Sequence, residues 1–121
     1  TPLTLNYLFS SSQSTNPGKP LPIAWHPPES IQRRIFDSKG DVWSFGVVLW
    51  EIFEHCRKRP YSTMGYAEIV QEVCQNGHRL ARPQLCPAAI YEYVMMPCWH
   101  QNRKMRPSFE QLEDSLSAMF E

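Results

Sequence analysis

The chain has 121 residues, enough for one domain with one small core. Lys plus Arg and Asp plus Glu both number 12, so the formal net charge is zero. That balance argues against a nucleic-acid binder and against a disordered polyelectrolyte. No run reaches the ~20 apolar residues of a membrane-crossing helix, and the nearest, Val42 to Phe53, carries Glu51.

In chain order, Leu3, Leu5, Tyr7 and Phe9 alternate, a weak strand pattern. Ser10 to Pro20 then has linker chemistry: small, polar, broken by Pro and Gly. Residues 1 to 17 are expected as a poorly ordered segment and 18 to 121 as the folded part. The chain begins with Thr1 rather than Met, so a longer parent is expected. Pro20, Pro22, Pro27 and Pro28 exclude a long helix in the next stretch, leaving a compact loop. A short helix is expected from Pro28, with Glu29 as a first-turn acid.

Residues 38 to 55 read as the main helix. Ser38 is the expected N-cap, with Asp41 at the capping-box position. Val42, Trp43, Phe45, Val47, Val48, Leu49, Trp50, Ile52 and Phe53 cover nearly every face, the pattern of a helix buried all round. It is therefore expected as a central pillar. Arg57-Lys58-Arg59 follows it; three charges fall short of a basic patch, and the run reads as a solvated loop. Three amphipathic helices are expected next. Residues 66 to 76 align Ile69, Val70 and Val73, and Gly77 stops them. Residues 87 to 99 align Ile90, Tyr91, Val94, Met95 and Cys98, with Pro97 disturbing the last turn. Residues 108 to 120 open with Ser108 and Gln111 as a capping box and carry Phe109, Leu112, Leu116 and Met119. The fold class is mainly α, about four main helices around a buried central one, behind an irregular N-terminal segment.

The metal and nucleophile motifs are absent. His26, His55, His78 and His100 are scattered, and Cys98 with His100 supplies two neighbouring ligands where zinc takes four. The four Cys form no C-x-x-C and read as reduced, buried thiols. There is no G-x-S-x-G and no P-loop. No catalytic residue, metal site or cofactor site is assigned. Gly46, inside the main helix, marks a close approach by another element.

The informative signal is a series of short motifs. Pro22-Ile23-Ala24-Trp25-His26-Pro27-Pro28-Glu29-Ser30 precedes Asp41-Val42-Trp43-Ser44-Phe45-Gly46-Val47-Val48-Leu49-Trp50-Glu51. Pro60-Tyr61, Gly77-His78-Arg79-Leu80, Cys98-Trp99 and Arg106-Pro107-Ser108-Phe109 follow. In this order they resemble the C-terminal lobe of a protein tyrosine kinase, over about residues 18 to 117. The wording around Pro27-Pro28-Glu29-Ser30-Ile31 and Leu80-Ala81-Arg82-Pro83 is most similar to neurotrophin-receptor (Trk-like) and Ror-like receptor kinases.

The resemblance implies a helical C-lobe fragment, from the end of the activation segment to the last helix. It implies that Pro22, Ile23, Ala24 and Trp25 line the substrate side, beside the residue following the substrate tyrosine. It implies structural roles for four residues. Glu29 corresponds to the acid of the A-P-E motif and pairs with Arg106, while Asp41 and Trp43 open the central helix. Without the resemblance, Glu29 reads as a first-turn acid and Asp41 as a cap. Departures include Ala24 where a basic residue is usual, Gly40 before Asp41, and Cys56 in place of a turn Gly.

Phosphoryl transfer needs positioned phosphates, metal ligands and a base Asp. The sequence has no G-x-G, no H-R-D and no D-F-G, and its Asp residues are Asp37, Asp41 and Asp114. Catalytic groups together supply barrier reductions on the order of 8–23 kcal/mol. The chain alone is therefore expected to be inactive, with ATP and Mg belonging to the complete family domain. The resemblance implies a cytoplasmic location, as in the intracellular part of a single-pass receptor. The partners it implies are a tyrosine-containing protein substrate or the rest of a kinase domain. The alternative is a non-catalytic, pseudokinase-like interaction module. Either way the central helix is expected to show apolar surface, and so to self-associate or to need a partner.

Overall fold

The computed structural model describes residues 21–120. The alternating stretch at residues 3–9 and the expected N-terminal segment, residues 1–17, lie outside them. Among the described residues there is no strand.

Helix α1 is Pro28–Arg33, with Pro28 at its first turn and Glu29 as its first-turn acid. The missing N–H of Pro28 removes no helical bond there. Arg34 ends the helix in the left-handed conformation, φ 55°. A single 3-10 turn, Ile23–Trp25, precedes it.

Helix α2, Ser38–Phe53, is the pillar. Its N-cap is Asp37, not Ser38: the Asp37 carboxylate accepts from the Lys39 and Gly40 amides. Asp37 has the extended backbone of a cap residue, and Ser38 is already helical. Asp41 consequently caps nothing and sits one turn inside. Trp43, Val42 and Val47 are fully buried. Burial is not uniform around the helix, however. Asp41, Phe45 and Leu49 are half-buried and Ile52 is 56% exposed. At ~100° per residue these four share one stripe. The expectation of a helix buried all round is corrected to one with a single open face.

Gly46 does mark a close approach. A Cβ there would lie 2.7 Å from Trp99 Nε1 and 2.8 Å from Cys98 Cβ. Past α2, His55 and Cys56 both take φ 56°, so a cysteine occupies a conformation that favours glycine.

Helix α3 begins as Tyr66–Ile69 and widens into a π-helical stretch, Val70–Gln75. Gly77 follows at φ 74°. Helix α4 comprises Ala88–Ile90, π-helical Tyr91–Met95 and a final turn Met96–Cys98. The widening lies directly before Pro97, whose ring clashes with the carbonyl four residues back and which has no N–H to give it. Pro97 therefore reshapes the turns ahead of it rather than fraying the end. Helix α5, Phe109–Met119, carries the expected capping box, with Ser108 and Gln111 bonded reciprocally. Phe109, expected in its apolar stripe, is 46% exposed and meets Phe45 edge-on, while Leu112 is buried.

One core runs through the described residues. Trp43, Val47 and Trp50 of α2 meet Ile69 and Val73 of α3 together with Val94, Met95 and Cys98 of α4. Cys74, Cys86 and Cys98 are buried, but Cys56 is exposed, against the expectation of buried thiols throughout. Burial pushes the Cys98 thiol up to about 12, which keeps it protonated and inert.

Candidate functional site

Two features converge on the segment before α1. One is a set of polar locks that fix it, the other a pocket beside it.

The strongest lock joins residues distant in sequence. Arg106 Nη1 donates to Glu29 Oε2 at 2.7 Å and Nη2 to Glu29 Oε1 at 2.9 Å. This two-point geometry matches the planar guanidinium to a carboxylate. Both residues are buried, Glu29 at 5% and Arg106 at 2% exposure. Two further donors are used: Nε reaches the His100 carbonyl and Nη1 the Lys39 carbonyl. Lys39 Nζ returns a bond to the Arg106 carbonyl at 2.7 Å. Arg106 thus ties α1, the start of α2 and the loop after α4 together.

Trp43 lies beneath this lock. The guanidinium of Arg106 is 4.9 Å and that of Arg79 is 4.7 Å from its ring centroid, both within cation–π range. Arg79 donates to the Trp99 and Val73 carbonyls and to Gln101 Oε1. Burial pulls the Arg79 guanidinium down from its usual range, with the charge of Arg106 adding to the effect. At the first turn of α2, Asp37 also forms an ion pair with Arg103. Asp41 is brought to none of these partners. Its carboxyl is raised by burial, and among the described residues no donor to it is found.

The segment Pro22 to Trp25 is attached to α2 by two hydrogen bonds. Trp25 Nε1 donates to Glu51 Oε1 at 2.8 Å, and Ser44 Oγ donates to the Trp25 carbonyl at 2.5 Å. Beside it is a pocket of about 300 Å³, lined by Pro22, Ile23, Ala24 and Trp25 on one side and by Tyr61 and Met64 on the other. Tyr61 is held in a left-handed conformation, φ 52°, and burial pushes its hydroxyl far above the usual range. It acts here as an apolar wall with a neutral tip. Arg59 is the charged residue at this pocket's edge.

The structure therefore brings Glu29, Arg106 and Trp43 into one cluster, and gathers Pro22, Ile23, Ala24 and Trp25 at a pocket. Glu51, Ser44, Arg79 and the Asp37–Arg103 pair were not singled out as site residues from the sequence. Glu51, the one acid in an apolar run, was the available signal for a buried polar contact. Among the described residues no group of three or more His, Cys, Asp or Glu could hold a metal. No described helix is long and apolar enough to cross a membrane.

Comparison with known proteins agrees with this architecture. The sequence profile of the protein tyrosine and serine/threonine kinase family matches residues 3–116. The chain belongs to that family. The match reaches further toward the N-terminus than the motifs, the first of which begins at Pro22. Human ephrin type-A receptor 8 is 42% identical over 105 residues, 87% of this chain and 10% of that protein. Human ephrin type-A receptor 1 is 40% identical over 111 residues, 92% of this chain and 11% of that protein. Chicken ephrin type-A receptor 7 is 39% identical over 105 residues. The chain spans about a tenth of the length of these relatives. It carries the C-terminal portion of a tyrosine kinase domain.

Proposed function

We propose that this chain supplies the substrate side of a receptor-type tyrosine kinase domain. The pocket between Pro22–Trp25 and Tyr61–Met64 receives the side chain that follows the substrate tyrosine. The observation that carries this reading is the pocket itself, whose apolar walls are held in place by Glu51 and Ser44. An apolar side chain is expected there, against Ile23, Trp25, Tyr61 and Met64, with Arg59 and Ser62 adding polar groups to the lining.

In the complete domain the reaction is phosphoryl transfer from ATP to a protein tyrosine, with Mg. The described residues do not fit the nucleotide or the metal. Asp37 is committed to the α2 cap and to Arg103, Asp41 is half-buried without a second carboxylate, and Asp114 lies exposed on α5. No step of that reaction is assigned to them. Mg-ATP is expected to leave the thermal stability of the chain unchanged.

The test is amide chemical-shift mapping with tyrosine peptides whose next residue is either isoleucine or aspartate. The isoleucine peptide is expected to move residues 22–25 and 61–64. Equal binding of both peptides, or shifts confined elsewhere, refutes the assignment.

The open stripe of α2 favours a second element of function. Phe45, Leu49 and Ile52 make a face suited to a protein partner, either the rest of a kinase domain or a second copy. Sedimentation at micromolar concentration tests self-association, which replacement of Ile52 by Glu should abolish. A cytoplasmic location, as the intracellular part of a single-pass receptor, is part of this proposal; the relatives' names give them as receptors and no more. The finer neurotrophin-receptor-like or Ror-like placement rests on Pro27-Pro28-Glu29-Ser30-Ile31 and on Leu80-Ala81-Arg82-Pro83 before Cys86-Pro87. The relatives weigh toward the ephrin-receptor branch.

A further inference from the structure

A second concavity, of about 460 Å³, lies at the C-terminal end of α2 and is lined by different residues from the pocket at Pro22–Trp25. One wall is the turn after α2. Cys56 N–H donates back to the Glu51 carbonyl at 2.9 Å, and His55 and Cys56 are both left-handed. That sharp reversal sets Arg57 and Lys58 along the groove. The other wall is the stretch from Ala81 to Leu85. Trp50 Nε1 donates to the Ala81 carbonyl at 2.8 Å, and Arg82 Nη1 to the Cys86 carbonyl at 2.6 Å. Both walls are therefore pinned by hydrogen bonds to the fold, and the groove is formed without a ligand.

Its chemistry is specific. Phe53 and Leu85 contribute apolar surface, and Leu85 is 65% exposed. Arg57 and Lys58 stand on one side and Arg82 on the other. The acid in the lining, Glu54, is 3.6 Å from Lys58 and offsets part of one cation. His55 also lines the groove.

We propose that this groove binds an acidic peptide segment, with one apolar side chain seated between Phe53 and Leu85. Carboxylates on either side of that side chain meet Arg57 and Arg82. Charge complementarity selects this occupant: the cations flank an apolar floor, so a ligand needs negative charge on both sides of an apolar group. A membrane surface matches less well. The cations line a concavity, and a few basic residues hold weakly to anionic lipid. The assignment is independent of the tyrosine-peptide pocket.

The test is fluorescence anisotropy of the purified chain with a labelled Glu-Glu-Leu-Glu-Glu peptide. Controls are Glu-Glu-Ser-Glu-Glu, Lys-Lys-Leu-Lys-Lys, and vesicles containing phosphatidylserine. Saturable, salt-sensitive binding of the acidic leucine peptide is expected. Arg57→Glu should weaken it roughly fivefold, the range of one exposed ion pair, and Arg82→Glu at least as much, because it also removes the bond to the Cys86 carbonyl. Leu85→Ser should remove the preference for leucine over serine. Lys104→Glu, the same charge change at an exposed site outside the groove, should change nothing. Absence of binding, equal binding of the serine or lysine peptide, insensitivity to the Arg57 and Arg82 changes, or binding to vesicles alone overturns the proposal. Arg57 and Leu85 are exposed, so their substitution leaves the core intact, and far-ultraviolet circular dichroism verifies this for each variant.

Discussion

Replacing Arg106 by Ala should be the most damaging single change on the polar side of this fold. The side chain is fully buried and Glu29 opposite it is nearly so. Two short bonds join them, and further donors from Arg106 satisfy the His100 and Lys39 carbonyls. Truncation leaves a buried carboxylate without its cation, at a typical cost of about 3–5 kcal/mol. A domain of this size has about 5–15 kcal/mol in total. The loss should lower the melting temperature by on the order of 10–20 °C. Urea unfolding followed by circular dichroism measures it, with Trp fluorescence reporting on Trp43 beneath the guanidinium. The pairwise nature of the effect is tested by a cycle of Glu29→Gln, Arg106→Met and the double variant that combines these two. The double variant should recover part of the loss, because no charge is then stranded. A loss under about 1 kcal/mol for Arg106→Ala, or strict additivity in the cycle, would falsify the view that this pair ties α1 to the loop after α4.

Gly46→Ala sets a helix-propensity gain of about 1 kcal/mol against contacts at 2.7 and 2.8 Å with Trp99 and Cys98. The clash should win by about 1–2 kcal/mol in urea unfolding. Asp37→Ala should cost about 1–2 kcal/mol by uncapping α2, whereas Ser38→Ala should be near neutral; thermal melts of the two variants locate the cap. His26 gives a pH dependence. Burial, and then the charge of Arg34, lower its pKa from 6.5 to about 4. As pH falls below 6.5 the unfolded chain takes up a proton that the folded chain refuses until about 4, so stability is lost across that window on acidification. The loss should approach about 3 kcal/mol, and His26→Gln should flatten the profile of unfolding free energy against pH.

The helices were legible where the signal is local. Ser108 with Gln111 and Pro28 with Glu29 specify helix starts through short-range bonding, and the structure has both. The α2 cap was misplaced by one residue because Asp37 and Ser38 are both competent acceptors. What decides between them is which one is extended, and that depends on the chain arriving from α1. The π-helical widening of α4 had a cause in Pro97, but its position upstream of the proline follows from packing. The cluster at Trp43 was legible only through the family resemblance. Nothing in composition or spacing relates Glu29 to Arg106. The Trp25–Glu51 and Arg79–Trp99 contacts had no sequence signal beyond the oddity of a charge in an apolar context. Long-range polar contacts are chosen by topology, which short-range periodicity does not encode.

The way α2 holds its neighbours explains how a loop-rich segment can present a formed pocket. Apolar burial against α2 is strong but non-directional, and alone it would let residues 22–25 slide along the helix. Direction comes from polar atoms placed along α2 at intervals. Near its start, Lys39 accepts from and donates to Arg106; one turn on, Ser44 holds the Trp25 carbonyl; in the last turns, Trp50 holds Ala81 and Glu51 holds the Trp25 indole. Together these bonds fix three peripheral segments, at Arg106, Trp25 and Ala81, to known heights on one rod. Trp25 is fixed twice, through its backbone and its side chain, at positions two turns apart on α2. That double attachment sets both the place and the tilt of the pocket wall. A pocket wall built this way is rigid without regular structure of its own, because its rigidity belongs to the helix behind it.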